Sequence, residues 1–352
     1  MKTLEIKNIH KKFPGTQAYA VRDFSLDVER GEIVALLGES GCGKTTILRM
    51  IAGFETPGRG EIRLKGQLVC SDNVFVEPEQ RGVGIVFQDH ALFPHKTVWE
   101  NICFGLFRLG REEREEKAVA IIQMTGLMGL EGRYPHQLSG GQKQRVALAR
   151  ALAPEPNIIL FDEPFSNLDS MRKTQMREDI REIIQKSGST AIFVTHDTKD
   201  VLAIADRVVV MKDGVNLQTG TPGNIYTHPA NSYVAHFFGK TNLLKGVARE
   251  GGFQTPIGFI AADMSLPAPM SEVLLSVRPE SFVPAGEHED CFCGSIKRRN
   301  FFGEYMEVVC AVAGPAGEET EVVIYAPPDH DCQSETCYFR QRGDSRPGVM
   351  KG

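Results

Sequence analysis

The sequence predicts an α/β fold in which a parallel-sheet core with a helical subdomain precedes a small β-barrel domain. Two observations predict the core: the apolar run IVALL leads into the glycine-rich stretch GESGCGKTT, and the run IILF ends in Asp162 and Glu163. A third predicts the barrel, because short apolar runs separated by glycine and proline dominate from about residue 242. The 352 residues also exceed the ~250–300 that one core usually supports.

The glycine-rich stretch (38–46) matches G-x-x-x-x-G-K-[ST], a loop whose backbone N–H groups surround nucleotide phosphates. The helix predicted after it, TTILRMIAGF, adds the positive end of its dipole. We predict that the following residues contact the nucleotide: Gly38, Glu39, Ser40, Gly41, Cys42, Gly43, Lys44, Thr45 and Thr46. Lys44 would reach the β- and γ-phosphates, and the Thr45 hydroxyl would bind Mg²⁺. A plain glycine turn is the alternative.

The acidic pair follows residues 158–161, which have the character of a buried parallel strand. Carboxylates at the carboxyl end of such a strand lie at the edge where nucleotides bind. We therefore predict that Asp162 holds Mg²⁺, directly or through water. Glu163 would stand beside the γ-phosphate as the general base that polarises the attacking water. A helix N-cap or turn is the alternative for the pair, but it does not explain a phosphate loop in the same domain.

With LSGGQ at 138–142, these motifs resemble the ATP-binding cassette (ABC) family. The resemblance implies a phosphate-loop NTPase core of ABC type that binds ATP and Mg²⁺ and forms a homodimer in the ATP-bound state. In that dimer Ser139, Gly140, Gly141 and Gln142 would close over the nucleotide of the partner chain. Glycines allow such close backbone approach. Ser139 is equally compatible with an N-cap, and both interpretations can hold together.

Three further motifs occur in the order typical of the family. Gln88 in VFQDHALFPH resembles the glutamine that reaches Mg²⁺ and the attacking water, on a loop that contacts membrane subunits. Asp169 in SNLD resembles the aspartate that crosses the dimer interface. His196 in AIFVTHD resembles the switch histidine that contacts the γ-phosphate. The catalytic residues predicted on this basis are Glu163, His196 and Gln88.

One aromatic side chain near the N-terminus is expected to stack on adenine, again by resemblance. Phe13 in KKFPG occupies the expected position. Tyr19 is the alternative, because the stretch 14–20 looks longer than is usual in the family, and the extra length would shift the loop. An aromatic in an N-terminal strand is also compatible with a purely structural role in the core.

Composition limits the partners. A net charge of −5 argues against a nucleic-acid surface. No apolar run approaches the ~20 residues of a membrane helix, and the N-terminus lacks a signal-peptide pattern. The scattered cysteines lack metal-ligand spacing and suit a reduced compartment. Together with the resemblance to the ABC family, these features imply a peripheral protein on the cytoplasmic side of the inner membrane.

The domains are predicted at 1–240, with a helical subdomain at about 89–157, and at 241–352. The second resembles the β-rich, oligonucleotide/oligosaccharide-binding (OB)-like TOBE domain of importer ATPases, particularly in VRPE at 277–280. Its last stretch, from Gln341, is polar with glycine and proline and is predicted to fray without a final strand pair.

These resemblances imply the ATPase subunit of a binding-protein-dependent importer, with two transmembrane permease subunits and, indirectly, a periplasmic or surface binding protein. The stretches GFETPGRGEI, VEPEQRGVGIVFQDHALFPHKTV and RYPHQLSGGQKQRV resemble the iron(III) branch. Polyamine, sulfate or other anion, and sugar importers are the alternatives for the cargo. A non-transport ABC ATPase of DNA repair or ribosomes is disfavoured, because the chain has neither a long coiled-coil insertion nor two cassettes.

Overall fold

The computed structural model describes residues 1–166, 170–262, 270–287, 291–315, 317–329 and 335–351. The chain forms two compact units, Met1–Pro222 and Gly223–Gly352. The domain division predicted at 240/241 lies further along the chain and stays a prediction. Within the described ranges, no helix is both long enough and apolar enough to span a bilayer.

The strands of the first unit form two sheets. They are β1 (Lys2–Lys11), β2 (Val21–Glu29), β3 (Ile33–Gly38), β4 (Arg59–Leu64), β5 (Gln67–Cys70), β6 (Val83–Val86), β7 (Ile158–Asp162), β8 (Ala191–Thr195), β9 (Arg207–Lys212) and β10 (Val215–Gly220). One sheet has the order β2-β1-β4-β5 with antiparallel pairing. The other has the order β10-β9-β3-β8-β7-β6 and is parallel except for β10. The predicted α/β core is confirmed.

The helices of the same unit are α1 (Lys44–Ala52), α2 (Val98–Phe104), α3 (Arg111–Met124), α4 (Gly140–Leu152), α5 (Ser170–Ser187) and α6 (Thr198–Ile204). Helix α2 begins at Thr97 with a capping box, in which the Thr97 hydroxyl accepts from the Glu100 amide and the Glu100 carboxylate from the Thr97 amide. Helices α2, α3 and α4 follow one another between β6 and β7. They occupy the stretch whose composition favours helix.

The parallel sheet sets the position of the candidate site. Strands β3 and β8 are buried along their whole length, and β7 is buried from residue 158 to 161. Continuous burial is what helices on both faces of a parallel sheet require. Because the three strands run parallel and side by side in the order β3-β8-β7, the residues that follow them share one edge.

The second unit is rich in antiparallel strands. It contains α7 (Pro222–Thr227), α8 (Ser232–Phe237), β11 (Asn242–Arg249), β12 (Gly252–Thr255), β13 (Gly258–Ala261), β14 (Glu272–Val277), β15 (Phe282–Pro284), β16 (Phe292–Phe301), β17 (Met306–Ala313), β18 (Glu319–Ala326), β19 (Thr336–Gln341) and β20 (Gly348–Lys351). The sheet orders are β13-β12-β11-β14-β20 and β15-β19-β16-β17-β18. Both sheets contribute to one core that includes Phe253, Phe282 and Phe339, as expected of a small barrel-like β domain.

The VRPE motif joins helices to strands within this unit. The Arg278 guanidinium is buried and donates to the carbonyls of Tyr226 and Ala235, each at 2.9 Å. It also lies 4.0 Å from the centroid of the Tyr226 ring. The Tyr226 hydroxyl donates to Glu280. Arginine and glutamate of the motif therefore fix α7 and α8 against the end of β14.

The prediction that the stretch from Gln341 frays without a final strand pair is wrong. Strand β20 pairs with β14, with Gly348 opposite Ser276 and Met350 opposite Leu274. Met350 is buried, so an apolar side chain holds the strand in place. The Gln341 side chain accepts from the Ala261 amide at 2.8 Å and donates to its carbonyl at 2.9 Å. Polar composition did not predict this order, because the polar side-chain amide of Gln341 pairs with backbone groups.

Candidate nucleotide site

The glycine-rich stretch from the end of β3 to the start of α1 requires glycine at two positions. Gly43 has φ 102°, and a Cβ there would lie 2.2 Å from the Ala20 carbonyl oxygen. At Gly38 a Cβ would lie 2.4 Å from the Met211 carbonyl oxygen. Any side chain would therefore displace backbone of a neighbouring segment. The loop is a fixed structure directly before a helix N-terminus, where backbone N–H groups bind anions.

Lys44 is buried at the centre of this loop. Its ammonium donates to the carbonyls of Gly38 at 2.7 Å and Glu39 at 2.8 Å. Its neighbours Cys42 and Gly43 are buried, whereas Glu39, Ser40 and Gly41 are exposed and Thr45 and Thr46 are half-buried. Neutral carbonyls are weak partners for an ammonium in comparison with a charged phosphate. The arrangement therefore suits an anion bound in the loop.

Thr45 and Asp162 bring a hydroxyl and a carboxylate together. The Thr45 Oγ1 donates to Asp162 Oδ1 at 3.1 Å, across 117 positions of sequence. Burial raises the pKa of Asp162, and the Thr45 hydrogen bond opposes this rise. Hard oxygen donors of this kind are the ligands Mg²⁺ prefers, usually one or two from protein with phosphates and water. No group of three or more His, Cys, Asp or Glu that could hold a metal occurs in the described ranges.

Glu163 and His196 meet at the same edge. Glu163 has φ 46°, and its amide donates to the Val194 carbonyl of the adjacent strand β8 at 3.0 Å. Its Oε2 lies 3.3 Å from His196 Nδ1. The glutamate side chain is 23% exposed and the imidazole 53% exposed. A carboxylate held beside an accessible imidazole can polarise water and orient a phosphate.

Gln88 lies two residues beyond the end of β6, which neighbours β7, and its side chain is exposed. The loop continues with left-handed backbone at His90 (φ 63°) and Ala91 (φ 45°). The Arg150 guanidinium of α4 donates to both carbonyls, at 3.2 Å and 2.7 Å respectively. The loop predicted to reach the nucleotide is thus bound to α4.

The LSGGQ residues form the start of α4. The Ser139 hydroxyl accepts from the Gln142 amide at 3.3 Å, and the Gln142 side chain accepts from the Ser139 amide at 2.9 Å. This is the capping box that the N-cap interpretation predicts. Gly140 and Gly141 supply the first turn. Asp169, the other residue predicted to act across two chains, lies outside the described residues.

Phe13 and Tyr19 are both partly exposed, at 38% and 47%. The Lys11 ammonium lies 5.2 Å from the Phe13 ring centroid, and the Lys12 ammonium 5.8 Å from that of Tyr19. Tyr19 also packs edge-on against His10 at 6.0 Å. Both side chains keep part of their surface exposed, so either could receive a base. The preference for Phe13 stays a prediction.

Two charged residues that the sequence analysis did not single out lie directly behind the His196 loop. Arg177 of α5 and Asp200 of α6 are 7% and 6% exposed, and they form an ion pair at 2.6 Å. The one hint of this pair in the sequence is Asp200, an acidic residue four positions after His196 in THDTKD.

We expect Cys42 to react slowly with N-ethylmaleimide at pH 7 and faster as pH rises. Burial raises the pKa of the Cys42 thiol, while nearby Lys44 lowers it by less. Only the thiolate reacts, so below the pKa its fraction grows about tenfold per pH unit. Peptide mass mapping over a time course at several pH values measures this. The exposed Cys293 is the internal control, and equal rates for both thiols at pH 7 would contradict the prediction.

The comparisons with known proteins agree with this geometry. The family model described as ABC transporter matches residues 21–166. The chain is 42% identical over 307 residues to the Fe(3+) ions import ATP-binding protein FbpC of Rhizobium etli, covering 86% of this chain and 85% of that protein. It is 46% identical over 266 residues to a sulfate/thiosulfate import ATP-binding protein of Chromobacterium violaceum, covering 75% of this chain and 71% of that protein.

Among solved structures, the chain resembles an ATP-binding cassette in a dimeric post-hydrolysis state bound to ADP and Pi. The TM-score is 0.54 at 31% identity, and the match covers 62% of this chain and 98% of that one. The relatives match over most of their length. The candidate site residues follow the parallel strands β3, β7 and β8, whose carboxyl ends share one edge of the sheet. The chain therefore belongs to the ABC transporter family and is an ATPase of that family.

Proposed function

We propose that the chain is the ATP-hydrolysing subunit of a binding-protein-dependent importer that carries iron(III). The observation that carries the catalytic part is the pairing of Thr45 with Asp162 and of Glu163 with His196 at one sheet edge. Import and cargo are supported by relatives from Rhizobium and Haemophilus that are named Fe(3+) ions import ATP-binding proteins.

In this proposal Thr45 and Asp162 would hold Mg²⁺ beside the phosphates, and Gln88 would reach the ion and the attacking water. The ion would neutralise charge on the β- and γ-phosphate oxygens. Lys44 exchanges its carbonyl partners for phosphate oxygens, which carry full charge and bind an ammonium more strongly. Glu163 accepts a hydrogen bond from water, and His196 donates to the γ-phosphate.

The second part of the proposal is a head-to-tail homodimer. Ser139 to Gln142 lie at the N-terminus of α4, where the hydroxyl and exposed backbone can approach an anion. The neighbouring structure that is dimeric with ADP and Pi supports this assembly. Each composite site would take its phosphate loop from one chain and its LSGGQ from the other, with Asp169 near the interface.

Two permease subunits are the proposed membrane partners. The chain would contact them at the cytoplasmic face of the bilayer. A groove of about 550 Å³, lined by Ile85, Phe104, Phe107 and Arg150 among others, adjoins the Gln88 loop. Phe104 is 51% and Phe107 69% exposed. Exposed aromatic side chains beside a groove suit an apolar helix of a partner protein. The binding protein would act only through the permeases.

We expect deletion of the gene to abolish uptake of labelled ferric iron delivered by the cognate binding protein. Polyamine, sulfate and sugar uptake should remain unchanged, because the ATPase powers one permease pair. Reintroducing the wild-type gene should restore uptake, and the Glu163→Gln gene should not. Loss of polyamine or sulfate uptake with iron uptake intact would contradict iron(III) as the cargo and assign the lost substrate instead. The sulfate/thiosulfate relative makes that arm of the experiment necessary.

A further inference from the structure

A buried charged cluster contacts the side chain of the residue that precedes His196. The Arg177 Nε donates to Asp200 Oδ1 at 2.7 Å. The Thr195 hydroxyl donates to the other oxygen of the same carboxylate, Oδ2, at 2.6 Å. Thr195 is itself buried at the end of β8. Asp200 therefore links α5 to the residue that directly precedes the histidine.

The cluster also reaches the residue that follows the histidine. The Arg177 Nη2 donates to Asp197 Oδ2 at 3.2 Å. The Asp197 amide donates to the Thr195 hydroxyl at 3.0 Å, and its Oδ1 caps α6 by accepting from the Lys199 amide at 2.8 Å. Both neighbours of His196 are thus fixed, while the imidazole itself is 53% exposed.

Stability alone is a poor explanation for such a cluster. Buried ion pairs contribute little net stability, since desolvation offsets their attraction, and apolar residues of similar volume often do as well. Burial raises the pKa of the Asp200 carboxyl, as expected when a charge is taken from water. What the cluster does supply is directional hydrogen bonding around one short loop, between the end of β8 and the start of α6.

We propose that Arg177, Asp200 and Thr195 are positioning residues that hold the His196 loop so that the imidazole points at Glu163 and the γ-phosphate. This rests on the proposed role of His196. The loop contains no proline that would fix its backbone by itself. A displacement of about 1 Å at a reacting group can cost ~10²-fold in rate, so such support has a measurable effect.

The test compares Arg177→Met with Arg181→Met. Arg181 lies one turn further along α5 and donates to the Ala203 carbonyl at 2.7 Å, so it also joins α5 to α6 but does not contact Thr195, Asp197 or Asp200 in the described hydrogen bonds. Arg177→Met should lower kcat about 10- to 100-fold with the Kd for ATP unchanged. Arg181→Met should leave kcat near wild type.

A double-mutant cycle separates positioning from general damage. In a His196→Ala background, Arg177→Met should cause no further loss of kcat, because the group that it positions is gone. Asp200→Asn serves as the second variant if Arg177→Met does not fold. It removes the charge with little change of shape, and its Tm identifies a folded protein. It should show the same dependence on His196.

The outcomes are distinct. If Arg177→Met and Asp200→Asn lower kcat by the same factor with and without His196, the positioning proposal is overturned while the role of His196 stands. Equal losses for Arg181→Met and Arg177→Met would also overturn it. Full activity of His196→Ala would overturn both the role of the histidine and the proposal that depends on it.

Discussion

Replacing Glu163 by glutamine should lower ATP turnover about 10²–10⁴-fold, the usual contribution of a general base. The amide keeps the size of the side chain and cannot accept the proton of the attacking water. ATP binding should persist, because Lys44, Thr45 and Asp162 are unchanged. The ATP-bound dimer should therefore accumulate if, as proposed, hydrolysis is the step that separates the chains. Phosphate release and size-exclusion chromatography with ATP measure both effects.

Glu155→Gln is a matched control for that experiment. Glu155 has the same left-handed backbone, with φ 54° against 46° for Glu163. It pairs with Lys117 at 3.0 Å and is 73% exposed. An amide at this position should leave turnover and Tm unchanged, which would show that glutamine is tolerated in left-handed backbone. Near-normal hydrolysis by Glu163→Gln would show that Glu163 is not the general base.

A second large effect is expected when two inactive variants are combined in one dimer. In the proposed dimer, Ser139→Arg places bulk and charge in the partner's site, and Lys44→Ala removes a chain's own phosphate ligand. A heterodimer of the two has one site with both defects and one with neither. If the two sites act independently, it should hydrolyse ATP at about half the wild-type rate. Each homodimer should be inactive.

The control places both substitutions on one chain and pairs it with wild type. With composite sites, each site of that heterodimer carries one defect, and activity should be lost. If instead each chain used its own Ser139, the results would reverse: this pair would keep half its activity, and the mixed pair would have none. Heterodimers purified through two different tags, with ATPase rates measured on each, distinguish the two arrangements.

Local patterns predicted the residues that follow strands. Gly43 and Lys44 belong to a contiguous motif, and Asp162 with Glu163 ends an apolar run whose burial fixes its place in the sheet. The parallel order β3-β8-β7, which the structure supplies, then brings these segments together. Sequence was sufficient for the residues themselves, because their chemistry and the end of the strand are encoded within a few residues.

The cluster behind His196 could not be found in this way. Arg177 and Asp200 lie 23 positions apart on two helices, and each has an ordinary charged side chain that usually lies in water. Only the packing of α5 against α6 shows that both are buried. The same limitation explains the incorrect prediction for the C-terminal stretch, where polar composition concealed β20 and the pairing of Gln341 with Ala261.

That pairing affects how the folded protein behaves in concentrated solution. Strand β13 lies at one edge of its sheet, and an edge with unpaired backbone groups is where another chain can add a strand and start aggregation. At Ala261 both groups are already bonded to the Gln341 amide. Because an amide is uncharged, this protection does not depend on pH or ionic strength, unlike an edge guarded by lysines.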